Sequence, residues 1–503
     1  MRHPLTARCA WALLVASLVT VGASASAEPV SEPPPRIPAA ALQEDLAVLK
    51  SAYEQLHPGL YRYNDKARME AHFVALKTEL GRDLSLQEAY LAFSLFLGKI
   101  QCGHSYANFY NQPKAIAAAL FQQQGRVPFY FRWISRRMIV TRNFSGDARL
   151  VPGTEVLAID GNPVQAILDT LLQVARADGS NEAKRVSYLE VGGHSQYEAF
   201  DLYFPMFFPR TGSRMVLRLK TPDGKPLTLE TPALTYEQRV APLQAELEAR
   251  RGDGPIWEFK FLDARTGYLR MPTWALYNSK WDWKGFLDTV FEQLAARKAA
   301  HLVIDLRGNE GGSSVGDVLL GKLATKDLTL ESFKRRVRYR KVPEELAPYL
   351  DTWDPSFKDW GQDAVEAGEG FYRLKKYDDA EGGTVIQASA RPFQGKTWVL
   401  VDASNSSATF EFALALRQHK LGTLVGQPTG GNQRGINGGA FFFLRLPRSK
   451  IEIDLPLIGF FPSRPMPDAG LVPDISITPR AQDIARGVDT ELEALKKRLR
   501  ASR

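Results

Sequence analysis

Two buried-strand signals constrain this chain most. "AHLVIDLRG" and "KTWVLVD" are apolar through their centres, and each runs through a turn into a helical pattern. A strand that faces water on one side alternates; one apolar on both faces must be covered on both. The same strand-turn-helix order recurs from about residue 255 onward: "TGYLRMPTW", "WKGFLDTVFEQLAAR", "GDVLLGKLA", "ATFEFALALRQH" and "GTLVGQ". Repeated β-turn-α units predict an α/β layered core over 255–490. Residues 343–392 are polar, aromatic and turn-rich, and read as an insertion on it.

The rest of the 503 residues exceed one core and require further domains. "AAALQEDLAVLKSAYEQL" places Leu42, Leu46, Leu49, Tyr53 and Leu56 at helical spacing, and two more helical patterns follow, giving an N-terminal helical unit over 39–118. Between 125 and 235 the pattern alternates like strands, with "PDGK" as a turn. Within it, "LVPGTEVLAIDGNPV" resembles the carboxylate-binding-loop side of a PDZ-like domain, which accepts a peptide as an added strand; an ordinary hairpin is the plainer alternative. Residues 175–210 read as an insertion, and 491–503 as a solvated basic helix.

The first 27 residues join a basic stretch, "MRHPLTAR", to the apolar "CAWALLVASLVTVGA" and the small residues "ASA". That order predicts a signal peptide cleaved after Ala27, followed by a proline-rich linker at 28–38, and a periplasmic or secreted location with no integral membrane span after cleavage. Of two cysteines, only Cys102 then remains, so no internal disulfide forms. The formal charge is +8 with acidic and basic residues interleaved, which argues against a dedicated nucleic-acid partner. The histidines are scattered, with no metal-ligand spacing and no cofactor motif.

Three segments carry chemistry. "LVIDLRGNEGGSS" (302–314) ends a buried strand in paired glycines, whose N–H groups can face an oxyanion. "SNSSATFEFA" (404–413) sets hydroxyls at a strand-to-helix junction, where the helix dipole favours negative charge; composition alone reads them as turn and N-cap residues. "GKIQCGHSYANFY" puts His104 in a turn after an apolar helix, the residue type whose pKa suits a general base.

Together with "GTLVGQPTGG" and "DAGLVPDISI", these segments resemble, in order and spacing, the tail-specific (C-terminal processing) serine peptidase family, in its histidine-bearing, tricorn-core-like branch with a PDZ-like domain. The resemblance covers most of residues 39–480. It implies a crotonase/ClpP-like core, Ser407 as nucleophile, and an oxyanion hole of Ala408 with Gly311 and Gly312. Where many members carry a lysine base, this chain has Asn432, whose amide cannot take the proton. The resemblance then points to His104 as base, with Asp468 the nearest candidate for an orienting acid. The implied substrate is a peptide or unfolded protein. Two alternatives stay open: an inactive peptide-binding or tail-binding protein on the same scaffold, and a non-peptide ester or amide hydrolase. Oligomeric state is not legible.

Overall fold

The computed structural model describes residues 35–122, 125–193, 195–244, 255–277, 279–330, 333–377 and 383–501. The expected signal segment and most of the proline-rich linker lie outside these. Arg36–Arg503 forms one compact unit. No helix among the described residues is long and apolar enough to cross a membrane.

The parallel sheet runs in the order Ile475–Ser476, Thr423–Gly426, Lys396–Val401, His301–Asp305, Thr266–Arg270, Glu258–Asp263. All neighbours are parallel except the last, which closes one edge antiparallel. His301–Asp305 is buried along its whole length because it lies inside the sheet with both faces covered. Helices Trp283–Ala296, Val315–Leu323 and Ser407–Gln418 pack their apolar stripes on one face. The other face corrects the expected solvated terminal helix: Thr490–Ala501 buries Leu495 and Leu499 against Tyr268, Val303, Leu400 and Val425. Its charges outnumber its apolar residues, but Leu492, Leu495 and Leu499 recur at helical spacing and form a stripe.

The N-terminal region is helical. Ala39–Leu56 buries the five apolar residues read from its spacing, and Leu86–Ile100 starts on a Ser85/Glu88 capping box. Residues 129–232 form an antiparallel sheet in the order Phe129–Ile134, Arg137–Asn143, Glu155–Ile159, Arg214–Lys220, Pro226–Pro232. Asp160 and Gly161 both take positive φ at the hairpin joining Glu155–Ile159 to Asn162–Pro163, as a tight two-residue turn demands. A second antiparallel sheet pairs Phe333–Arg336, Glu452–Pro462, Asn437–Arg445 and Leu350–Asp351, and so ties the 343–392 segment to the core. Its buried residues share one apolar core with the N-terminal helices and the 129–232 sheet.

Candidate active site

The central strands His301–Asp305 and Lys396–Val401 run side by side and end together, which brings the 306–312 turn against the 402–406 loop. Ligands of open parallel sheets gather at this carboxyl end. Asn405 bolts the two loops. Fully buried, it donates from Nδ2 to the carbonyls of Leu306 (2.6 Å) and Asn309 (3.0 Å) and accepts from the Asp402 N–H at 2.8 Å. Its own carbonyl accepts from the N–H groups of Gly430 and Gly431. Thr409 adds a hydroxyl bond to the Asn309 carbonyl at 3.0 Å.

Ser407 opens the helix Ser407–Gln418 with φ +51. A non-glycine residue pays about 1 kcal/mol for that conformation, so the surrounding loop must hold it there. Ser406 stands at the N-cap position but makes no cap bond; its hydroxyl donates to the carbonyls of Ser404 and Glu310. The serine run thus serves the loop-to-loop contact rather than the cap expected from composition.

Gly311 and Gly312 both lie at positive φ (101° and 136°). A Cβ on Gly311 would fall 2.8 Å from the Ser406 carbonyl, 2.9 Å from the Ala408 nitrogen and 3.0 Å from Ser407 Cβ. Only glycine allows this backbone to lie directly on the Ser407–Ala408 junction. The Gly311 N–H is already donated to Asn309 Oδ1 at 3.0 Å. Gly312 packs against Trp274, where a Cβ would come 2.3 Å from the carbonyl oxygen.

His104 sits on a turn braced from several sides. The Gly103 N–H donates to Asp178 Oδ1 (3.0 Å), and Arg176 donates to the Gly103 carbonyl (2.6 Å). Beyond it, His57 Nε2 lies 2.9 Å from the Ser105 hydroxyl; because His57 Nδ1 accepts from the Gly59 N–H, Nε2 carries the proton and donates. The His104 ring lies 5.8 Å from Phe441, and its buried Nδ1 has no hydrogen-bond partner. Burial lowers its pKa from the ordinary value; the Asp178 and Glu310 charges oppose the shift, while Arg176 and Lys184 reinforce it.

These neighbours were not singled out from the sequence. Lys184, buried on the helix Glu182–Tyr188, reaches Glu310 Oε1 at 2.5 Å and the Ser404 carbonyl at 3.3 Å, so it touches both of these loops. It holds the Glu310 carboxyl down to about 2. Asp468 is placed otherwise than as an orienting acid for His104. Its Oδ1 accepts from the Ser180 N–H (2.9 Å) and from Asn432 Nδ2 (2.7 Å), and its Oδ2 from the Ser180 hydroxyl (2.9 Å). Asn432 also donates to the Asp178 carbonyl at 3.0 Å. Asp468 and Asn432 therefore fasten the 178–181 segment, from which Asp178 faces the His104 turn. Beside Ala408 a cavity of about 170 Å³ opens between the two helices, walled by Leu320, Phe333, Glu411, Phe412 and Phe460.

Residues 265–440 match the model of peptidase family S41. Over that stretch the chain is similar to the serine peptidases of this family. Mature CPAF solved with lactacystin is similar to this protein over 91% of this chain and 97% of that one, with TM-score 0.60 and 18% identity. Another structure of mature CPAF gives 0.55 at 17% identity, over 88% and 94%. The photosystem II D1 C-terminal processing protease aligns over 90% and 95% at 15% identity, with TM-score 0.39. A comparison with curated proteins finds no match. At these identities the CPAF structures speak for the fold, and the chain's own loops must carry the chemistry.

Proposed function

We propose that this protein is an exported enzyme that cleaves peptide bonds through an acyl-enzyme on Ser407, with His104 as general base. The observation that carries this is the Ser407 junction: a serine held at φ +51 at a helix mouth, with the Gly311 backbone packed on it. In this reading His104 takes the Ser407 proton as Oγ attacks the substrate carbonyl. The N–H groups of Ala408 and Gly312 receive the oxyanion, while Gly311, its own N–H engaged by Asn309, shapes the turn. The protonated imidazole then gives its proton to the departing amine. Water attacks the ester, losing its proton to His104, which passes it to Ser407 Oγ as the ester bond breaks and the acid leaves. Asp178 and Glu310, rather than Asp468, are the carboxylates that stabilise the imidazolium. The cavity beside Ala408 takes a side chain of the acyl portion.

The lowered His104 pKa sets the pH dependence. The base must be neutral to work, and its neutral form persists below the ordinary 6.5. Casein hydrolysis by the wild type should therefore reach half its plateau below pH 6.5, and Asp178→Asn, which removes an opposing charge, should move that limb lower still. A limb above 6.5, or one unmoved by Asp178→Asn, contradicts this placement. Stability also falls as the pH drops. Burial depresses His57 to about 3, so the unfolded chain takes up that proton first as pH falls through 6.5. The fold loses roughly 1.4 kcal/mol per pH unit there from this group alone.

Export rests on the basic and apolar N-terminal segment, and the PDZ-like reading on "PGTEVLAIDGNPV". Expression in a bacterial host should yield a periplasmic protein whose first residue is Glu28. Cytoplasmic recovery with an intact Met1 terminus contradicts export.

A further inference from the structure

The strand Asn437–Arg445 alternates its aromatic residues. Phe442 and Leu444 are buried in the core, whereas Phe441 and Phe443 are only partly buried. Trp353, 58% exposed, lies 5.8 Å from each of these two rings and 5.6 Å from Phe357. Phe441 in turn contacts His104. An aromatic surface thus runs from the proposed base out to solvent. The strand also skips in register between Gly438 and Phe441, beside the imidazole. A Cβ on Gly438 would meet only His104 Cε1, at 4.0 Å, so a gap adjoins the ring. An exposed tryptophan that leads through half-buried rings to the proposed base has the character of a binding site.

Direction follows from the chemistry. The group that protonates the departing amine must lie on the leaving side of the cut bond. We infer that Trp353, Phe441 and the gap over Gly438 form a subsite for an aromatic or large aliphatic side chain on the leaving portion of the peptide. This rests on the Ser407–His104 reading. It gives the peptidase a selectivity for large apolar residues just after the cut, separate from the cavity beside Ala408. The side chain packs edge or face against Trp353.

Two readouts test it. Fluorescein-labelled peptides carrying Phe, Leu, Ala or Asp in the two positions after an otherwise fixed cut site are bound to the Ser407→Ala protein, and the same peptides are cut by the enzyme with Ser407. The expected result is at least tenfold preference for Phe and Leu over Ala and Asp in Kd and in kcat/KM. Trp353→Ala should reduce that preference to within threefold while leaving Ala peptides within twofold of wild type, and Trp353→Phe should restore most of it. A preference unchanged by Trp353→Ala, or an equal loss on every peptide, overturns the subsite. Selective binding without cleavage by the Ser407 enzyme supports the subsite and overturns the peptidase chemistry proposed above.

Discussion

Ser407→Ala should abolish peptide hydrolysis, with kcat/KM falling about 10⁴-fold or more, and leave the fold intact. Loss of the attacking oxygen removes the covalent route, and whatever remains comes from binding and oxyanion contacts alone. Alanine suits the site sterically. It keeps the same Cβ beside Gly311 and bears the same strain at φ +51 as serine does. Its Tm should lie within about 2 °C of wild type, since no core packing is lost. Calorimetry and casein turnover on the same preparation separate the two effects. Cleavage at more than a tenth of the wild-type rate contradicts the assignment of the nucleophile.

Gly312→Ala is expected to be nearly as damaging, for a different reason. The new methyl would meet the Trp274 carbonyl oxygen at 2.3 Å, its carbon at 2.4 Å and the Ala275 nitrogen at 2.5 Å. All three are backbone atoms that cannot swing aside. Trp274 is fully buried and packs edge-on against Phe412 in the helix that starts at Ser407. The turn must therefore shift away, and φ +136 is a region alanine avoids in any case. Losing an oriented oxyanion donor costs about 10²- to 10³-fold in kcat. Gly308→Ala is the control: its Cβ would meet nothing within 4 Å, so it carries only the backbone penalty of about 1 kcal/mol and should keep near-normal kcat. Equal kcat in Gly312→Ala and wild type contradicts the proposed oxyanion site.

The central sheet was legible from the apolar run of His301–Asp305, buried along its length, and the glycine-rich turn that follows it. Ser407 was singled out by the family resemblance alone, since position and composition read its run as turn and cap residues. What surrounds His104 was not legible. Asp178 lies 75 residues from the Gly103 N–H it holds, and Lys184 lies 126 residues from Glu310. Neither follows a periodic pattern that would betray such a pairing. Glu310 did carry a signal, an acid between the buried strand and the glycine pair, but a charge in a turn usually faces solvent. Asp468 shows the converse. Its place near the end of the core suggested a catalytic acid, yet its hydrogen bonds go to Ser180 and Asn432. The position of the usual lysine is filled by an asparagine that fastens a loop. Which face of the aromatic run 441–443 meets Trp353 depends on a segment some 90 residues earlier, beyond the reach of any local pattern. The terminal helix misled because its charge masks a stripe of only two well-buried leucines.

The central claim is that His104 activates Ser407. Labelling the full chain with a fluorophosphonate and mapping the modified peptide by mass spectrometry tests it most directly, since the probe needs an activated serine but no knowledge of the substrate. The account predicts one adduct, on Ser407, formed by the wild type and slowed at least 10²-fold in His104→Ala, while Asp468→Asn still labels. Labelling of Ser407 at an unchanged rate in His104→Ala, or an adduct on another serine, would contradict it.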